Sequence, residues 1–543
     1  MNTRWKSSRA IFVLVAVLVG VQLTGAVAIA SSSGSNVLRM ALKYADIRSL
    51  DPHYGTTTPD RIVVDMIFNA LVRYAPGNID PDAIEPDLAT EIPTPVVLTD
   101  GRQEWVFMLR EGILFHPLGG ATSTELTAED VVYSLTKAAD PQRSAYSGEY
   151  RGMVFEAVGR YTVRIILAAP LSPALFLPKV ANYSGGYIVS KSAVESMGDQ
   201  AFKTNPVGTG PFMFGAYKAM EEITLVAFAD YFRGRPALDG VAVKFMPDAT
   251  SRELGLRSGA LDVIELPTDQ TWADRVSALP GTRVDVFGPG EIMWINFNLS
   301  KPPFNSLLVR QAVAYALDRQ TFVDFLGSDV SSPVYSIVPE GYLAGALTAA
   351  EVDAAGLLFE VDRARSIDLL RQAGYSNGFR VDVITSDSIT YRTCYDLVQN
   401  QLQAVGIQLE VRIVEHSTYH SMIRDDLSSF VIYGAWRPNA DAFLTRFFHS
   451  DSIVKTGPKP DTNFSHYDAI DQEIVDARVA LDPAVQESLW KDAQLKILQN
   501  MAAYTLYMIK YVYGVMERVD WGYELQSSLT TGPQVTERTR LVD

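Results

Sequence analysis

The chain runs to 543 residues, 47% of them hydrophobic and 20% charged, with a net charge of −16. It is too long for one ordinary core, so two or three domains are expected, and too acidic for nucleic acid or an anionic lipid surface to be its partner. Its single cysteine, Cys394, excludes an intramolecular disulfide and a thiolate zinc cluster.

The first segment sets the compartment. "MNTRWKSSRA" is basic, "IFVLVAVLVGV" is apolar, and "GAVAIASSSGS" brings small residues at A-x-A spacing. That order reads as a secretory signal peptide over residues 1–30, cut after Ala28 or Ala30. Eleven apolar residues before Gln22 fall short of the roughly 20 a membrane span needs. Without the three positive charges of this segment the remainder stands at −19.

After it, 36–44 reads as a strand and "SLDPHYGTTTPD" as a turn-rich loop. A helix is predicted over 58–74, with Thr58 as N-cap and Pro59 at its first position. Strands follow at 104–115 and 161–170, around a helix over 127–140 that opens with Thr127 and Asp130 at capping-box spacing. Residues 205–232 read as Pro/Gly punctuation and a hairpin. In the second half helices alternate with strands: 248–266, 291–326, 361–374, 379–386, 391–406 and 407–415, then a long helix over 482–501 and an apolar stretch over 504–519. This alternation predicts an α/β protein with βαβ units on mostly parallel sheets.

Several motifs bear on catalysis. Gly374-Tyr375-Ser376-Asn377-Gly378 spells G-x-S-x-G, the spacing of a hydrolase nucleophile elbow, which requires a strand before the serine and a helix after it. Here a helix leads in and a strand leads out, so the motif reads as a helix stop and turn. His416 and His420, four apart beside Glu415, would put two metal ligands on one helix face. The segment reads instead as emerging from a strand, with no H-E-x-x-H, and solvent-facing or capping roles are expected. No Walker A or dinucleotide fingerprint occurs. No catalytic residue, metal or cofactor is expected.

Several stretches in order resemble the family 5 extracytoplasmic solute-binding proteins, the oligopeptide, dipeptide and nickel group that serves ABC importers. They are "SLDPHYGTTTPDRIVVDMIFNALVRY", "DLATEIP", "WVFMLREGILFHP", "TAEDVVYSL", "NPVGTGPFMFGAY", "INFNLSKPPFNSLLVRQAVAYALDRQTFVDFL", "LLRQAGYSNGF" and "QLQAVGIQLEV". The resemblance implies a periplasmic-binding-protein type II fold (cluster C), with two ligand-clasping lobes plus an inserted one. Lobe I would combine 31–75, 205–296 and 509–543, lobe II 76–204, and lobe III 297–508. It implies a monomeric periplasmic subunit that closes on a small-molecule or peptide-like solute and delivers it to an inner-membrane permease with its ATPase subunits, without enzymatic activity. The rival class is a secreted hydrolase acting on peptides or glycosides.

Peptide-binding relatives hold an α-amino group with an aspartate shortly after a Gly-Trp pair. The corresponding loop, "YGAWRPNADAFL", has Trp436, then Arg437, and its only acid is Asp441. Dipeptide-binding relatives hold the carboxylate with an arginine in a loop that here reads "TSDSITYR", with Asp387 and a displaced Arg392. Both anchors are missing or moved, which suggests a ligand with an anionic or sugar-like group facing Arg437; an Arg437–Asp441 pair is the alternative. Trp294, Asn296 and Asn298 share a strand face by period-2 alternation and are candidates for the cleft or the core. Tyr54, Thr56 and Thr57 offer hydroxyls where α/β proteins bind ligands, or cap a local turn.

Overall fold

In the computed structural model, which describes residues 36–542, the strand Val37–Leu42 lies inside a seven-stranded sheet. It pairs in parallel with both Gly240–Phe245 and Val263–Glu265. The remaining strands, Glu222–Ala227, Phe212–Lys218, Tyr511–Met516 and Thr282–Phe287, add on in antiparallel fashion. The signal-peptide segment lies outside the described residues.

A second sheet orders Val96–Val97, Gln103–Met108, Thr162–Leu167 and Val154–Gly159, all antiparallel. Gln103–Met108 alternates: Trp105 and Phe107 are buried while Val106 and Met108 face solvent, the mark of a sheet covered on one face. The third sheet orders Ser331–Pro333, Ala503–Ile509, Ile292–Phe297 and Phe430–Ala435, again antiparallel. Phe379–Ser386 and Ile407–Val414 form a βαβ unit, pairing in parallel across the helix Ile389–Gln403, and Gly240–Phe245 and Val263–Glu265, joined by the helix Ala249–Arg257, form a second that straddles Val37–Leu42. The expectation of mostly parallel sheets is therefore corrected. Helices do alternate with strands, but most strands find their partners through hairpins or through segments distant in sequence.

Two local readings shift. The predicted helix over 58–74 spans Thr58–Ile67, capped by Thr57 rather than Thr58, and Val72–Tyr74 is a strand. The stretch 504–519 holds two strands in different sheets, Ala503–Ile509 and Tyr511–Met516, with Lys510 alone between them, and Val519 opens a short third. Ser376 sits as read: helix Arg363–Gln372 stops at Gly374 (φ 90°) and strand Phe379–Ser386 follows. The Gly374 N–H donates to Arg371 O and the Tyr375 N–H to Leu370 O, a Schellman stop that leaves no elbow.

The chain passes between the seven-stranded sheet and the third sheet at two places that touch. Residues 288–291 join Thr282–Phe287 to Ile292–Phe297, and Lys510 joins Ala503–Ile509 to Tyr511–Met516. The Ile509 N–H donates to Glu291 O at 3.0 Å. A Cβ on Gly290 would stand 2.1 Å from Ile509 O, so only glycine lets the two crossings lie this close.

Candidate functional site

A cavity of about 620 Å³ opens between two walls distant in sequence. Helix Thr58–Ile67 and residues 146–183 supply one, with Arg61, Tyr146, Tyr150 and Tyr183. The other is the turn after strand Phe430–Ala435 and the start of helix Ala440–Phe448, with Trp436, Arg437 and Asp441. Asn439 caps that helix, accepting from the Ala442 N–H at 2.8 Å, so the turn at 436–438 is held against a fixed helix end. A larger depression of about 860 Å³ beside Tyr315 and Asp353 is an open groove in one region of the chain and encloses nothing.

Charge distinguishes the cavity from the rest of the molecule. Five cations line it, Arg61, Lys179, Arg437, Arg446 and Arg478, against the carboxylates of Glu149 and Asp441, in a chain of net charge −16. Three of the cations are already paired: Arg446 with Asp461 at 2.8 Å, Arg478 with Asp441 at 2.8 Å, and Lys179 with Glu149. Arg61 and Arg437 make no ion pair among the described residues.

Their hydrogen bonding is incomplete as well. Arg61 Nε, Trp436 Nε1 and Arg437 Nε are all buried without an acceptor. The Arg437 guanidinium gives one bond, from Nη1 to Trp436 O at 2.6 Å, and lies 4.9 Å over the Phe447 ring. Burial, and after it the Arg446 cation, push Arg437 below its ordinary range. Burial also works against the Arg61 cation, but Tyr183, whose ring lies 5.3 Å away, and Tyr146 outweigh it and raise the pKa. Three N–H donors with nothing to donate to, two of them on charged groups, form a site short of acceptors.

Of the residues singled out in the sequence, Trp436, Arg437 and Asp441 meet at this cavity. Asp441 faces Arg478, so the alternative Arg437–Asp441 pair does not form. The other candidates lie elsewhere. Trp294 and Asn296 are fully buried: Trp294 Nε1 donates to Asn296 Oδ1 at 3.1 Å, and the indole packs edge-on against Tyr433 and Phe447. Asn298 donates to Asp426 at 2.9 Å. These three belong to the core, because Ile292–Phe297 is a central strand buried on both faces, where alternation cannot tell cleft from interior. Tyr54 donates to Gln142 O at 3.2 Å and carries Lys203 on its ring. Thr56 and Thr57 give their backbone N–H groups to Asp60 at 3.1 and 3.0 Å, a local cap. Asp387 and Arg392 are exposed, and neither lines the cavity.

Sequence reasoning missed Arg61, Tyr146 and Tyr183, which no motif marks, and Glu291 at the crossing. The Glu291 side chain reaches solvent, yet makes no hydrogen bond or ion pair among the described residues. Although its surface is exposed, the protein packed around the carboxyl displaces water and raises it above the usual range, while Lys43, Arg437 and His416 each draw it back.

The family model for bacterial extracellular solute-binding proteins, family 5 Middle, matches residues 83–455. The chain belongs to that family. The solved structure of the PBP/SBP MoaA from A.tumefacien R10 in complex with mannopinic acid is 38% identical, with a TM-score of 0.75, covering 94% of this chain and all of that one. The heme-binding protein A of Haemophilus influenzae is 27% identical over 80% of each chain. The dipeptide-binding protein of Escherichia coli K12 is 25% identical over 79% of this chain and 81% of its own. As a family 5 protein the chain is the substrate-binding subunit of an ABC importer, and its fold is that of the periplasmic binding proteins. Among the described residues no helix is long and apolar enough to cross a membrane.

Proposed function

We propose that the cavity takes an anionic, acceptor-rich small solute, an amino acid joined to a sugar acid or polyol, rather than a plain dipeptide. One observation carries this reading: the buried N–H donors of Arg61, Trp436 and Arg437 converge on one cavity without acceptors. A carboxylate satisfies a guanidinium bidentately, hydroxyls satisfy the indole, and the tyrosines give a sugar or alkyl backbone its walls. A cation stands where peptide-binding relatives place an amine-binding aspartate. The mannopinic acid complex of the 38% identical structure supports the same class.

Capture would proceed by closure. Lobe I (31–75, 205–296, 509–543) and lobe III (297–508) would turn about the paired crossings at 288–291 and 510, with lobe II (76–204) lending Tyr146 and Tyr183 to the wall. A solute touching both walls favours the closed state by its differential affinity. The closed form would then dock as a monomer on the inner-membrane permease and its ATPase subunits, after export through a cleaved signal peptide, and the solute would leave chemically unchanged.

Calorimetry with mannopinic acid and with dipeptides tests the ligand class. The conjugate should bind, and a concentration of 100 times Kd should stabilise the protein by about 2.7 kcal/mol. Arg437→Ala should cost about 2–5 kcal/mol of binding energy. Tight dipeptide binding that survives Arg437→Ala would overturn the reading.

A further inference from the structure

Histidines 416 and 420 emerge from the strand Ile407–Val414 as expected, and both stand in the helix that follows it, His416–Arg424, so the four-residue spacing puts them on one face. Their Nε2 atoms lie 3.3 Å apart. With each nitrogen about 2.0–2.1 Å from a bound ion, that separation corresponds to an N–metal–N angle of roughly 104–111°, the tetrahedral value. We infer that Nε2 of His416 and Nε2 of His420 form a chelating pair for a divalent late transition-metal ion, outside the solute cavity.

The surroundings suit this role. For Nε2 to offer its lone pair, Nδ1 must carry the proton, and His416 Nδ1 has an acceptor for it in Ser386 Oγ at 2.8 Å. The Ser388 N–H donates to the same hydroxyl at 2.9 Å and fixes it. An outer partner of this kind orients a metal-binding imidazole. The rings of Tyr391, Tyr419 and Tyr433 pack around His420 with centroids 5.4–6.0 Å away. In the metal-free protein His420 Nε2 donates its proton to His416 Nε2; binding an ion moves that proton to His420 Nδ1, which is buried without a partner. His416 is exposed and His420 half-buried, which leaves an entry path.

Two imidazoles favour zinc, nickel, copper or cobalt over magnesium or calcium. No group of three or more His, Cys, Asp or Glu side chains able to hold a metal occurs among the described residues. The remaining positions are therefore open to water or a small ligand. Glu291 is within electrostatic reach of His416 and favours a cation there. Arg424, which acts on His420, opposes one and limits affinity.

The test is titration calorimetry of the untagged full chain with Zn²⁺ and with Ni²⁺, without solute, and Co²⁺ absorption as a second readout of tetrahedral nitrogen ligation. One equivalent should bind. His416→Ala and His420→Ala should each weaken binding at least ten-fold, and Ser386→Ala by a smaller factor, with thermal unfolding confirming that each variant folds. Mg²⁺ should not compete. The inference is overturned if neither ion binds, or if binding survives both histidine substitutions and is lost instead in His449→Ala or His466→Ala. Solute binding is measured separately, so its outcome does not bear on this one.

Discussion

Arg319 and Arg437 are both shielded from water and both lack a carboxylate, yet they serve opposite ends. Arg319 donates from Nε to Val334 O and Thr505 O and from Nη1 to Leu358 O, at 2.9–3.1 Å, and its guanidinium lies 4.0 Å from the Tyr504 ring. Arg437 makes one hydrogen bond and leaves Nε bare. Burial pushes both below their ordinary range, so the direction of that shift does not separate them. The count of satisfied donors does. A missing ion pair is no sign of a binding cation; missing acceptors are.

The largest expected effect lies on the satisfied side. Arg319→Met takes the guanidinium donor from Thr505 O and Leu358 O, while Val334 O still accepts from Thr505 Oγ1 at 2.7 Å; at about 1–3 kcal/mol for each unsatisfied group the protein should lose about 2–5 kcal/mol. Urea unfolding measures it, and solute affinity should not change. If stability held and affinity fell, the contrast between the two arginines would be wrong.

His116 extends the satisfied class to a titrating group. Its Nε2 donates to Gly210 O at 2.9 Å and its Nδ1 accepts from the Gly208 N–H at 3.4 Å, which ties "FHP" to "PVGTGPF". Burial lowers its pKa to about 4 from 6.5. The unfolded chain therefore binds the proton first as pH falls, and the contribution is complete above pH 6.5. It should decline by about 3 kcal/mol between pH 6.5 and 4. The unfolding free energy of His116→Asn, followed against pH, should lack this component; an unaltered slope would remove His116 from the account.

How far these roles were legible in the sequence depends on what each residue touches. The ordered blocks of family resemblance carried the fold, and the loop "YGAWRPNADAFL" pointed to the cavity, because Trp436, Arg437 and Asp441 act from one short segment. The strand "EIMWINFN" misled. Its alternation is real, but its sheet neighbours lie at 430–435 and 503–509, so both faces are interior and Trp294 packs behind the cavity wall. Arg61 could not be found, since only the approach of residues 146–183 to helix Thr58–Ile67 turns it from a surface helix position into a lining one. The histidine pair carries no H-E-x-x-H motif, and nothing in the sequence after the strand 407–415 marks the helix that starts at residue 416.

On the unsatisfied side the effect on stability should be small and of unusual sign. Arg437→Met removes a charge that burial penalises and that no ion pair offsets, only the more distant Asp461 and Glu291, so the solute-free protein should change by less than about 1 kcal/mol, or gain stability. Chemical denaturation without solute reads this directly. A loss of 3 kcal/mol or more, on the scale of breaking a buried pair, would mean that Arg437 has a partner in the resting protein and belongs with Arg319.

The smallest effect is expected at the rim, where the two classes meet. Asp441 accepts from Arg478 Nε at 2.8 Å, and the pair is a third exposed on the arginine side. Solvent screening holds such a pair to about 0–1 kcal/mol, so Asp441→Asn should barely move the unfolding midpoint. Its effect on binding has a defined sign. Removing the carboxylate frees Arg478 in a cavity that already presents more cations than anions, so an anionic solute should bind equally or a few-fold tighter, more so at low salt. An amine-bearing dipeptide would respond in the opposite direction, because Asp441 is the only acid its ammonium group would find on the 433–444 loop. Salt-dependent calorimetry on this one variant therefore separates the two ligand classes without disturbing either arginine in the comparison.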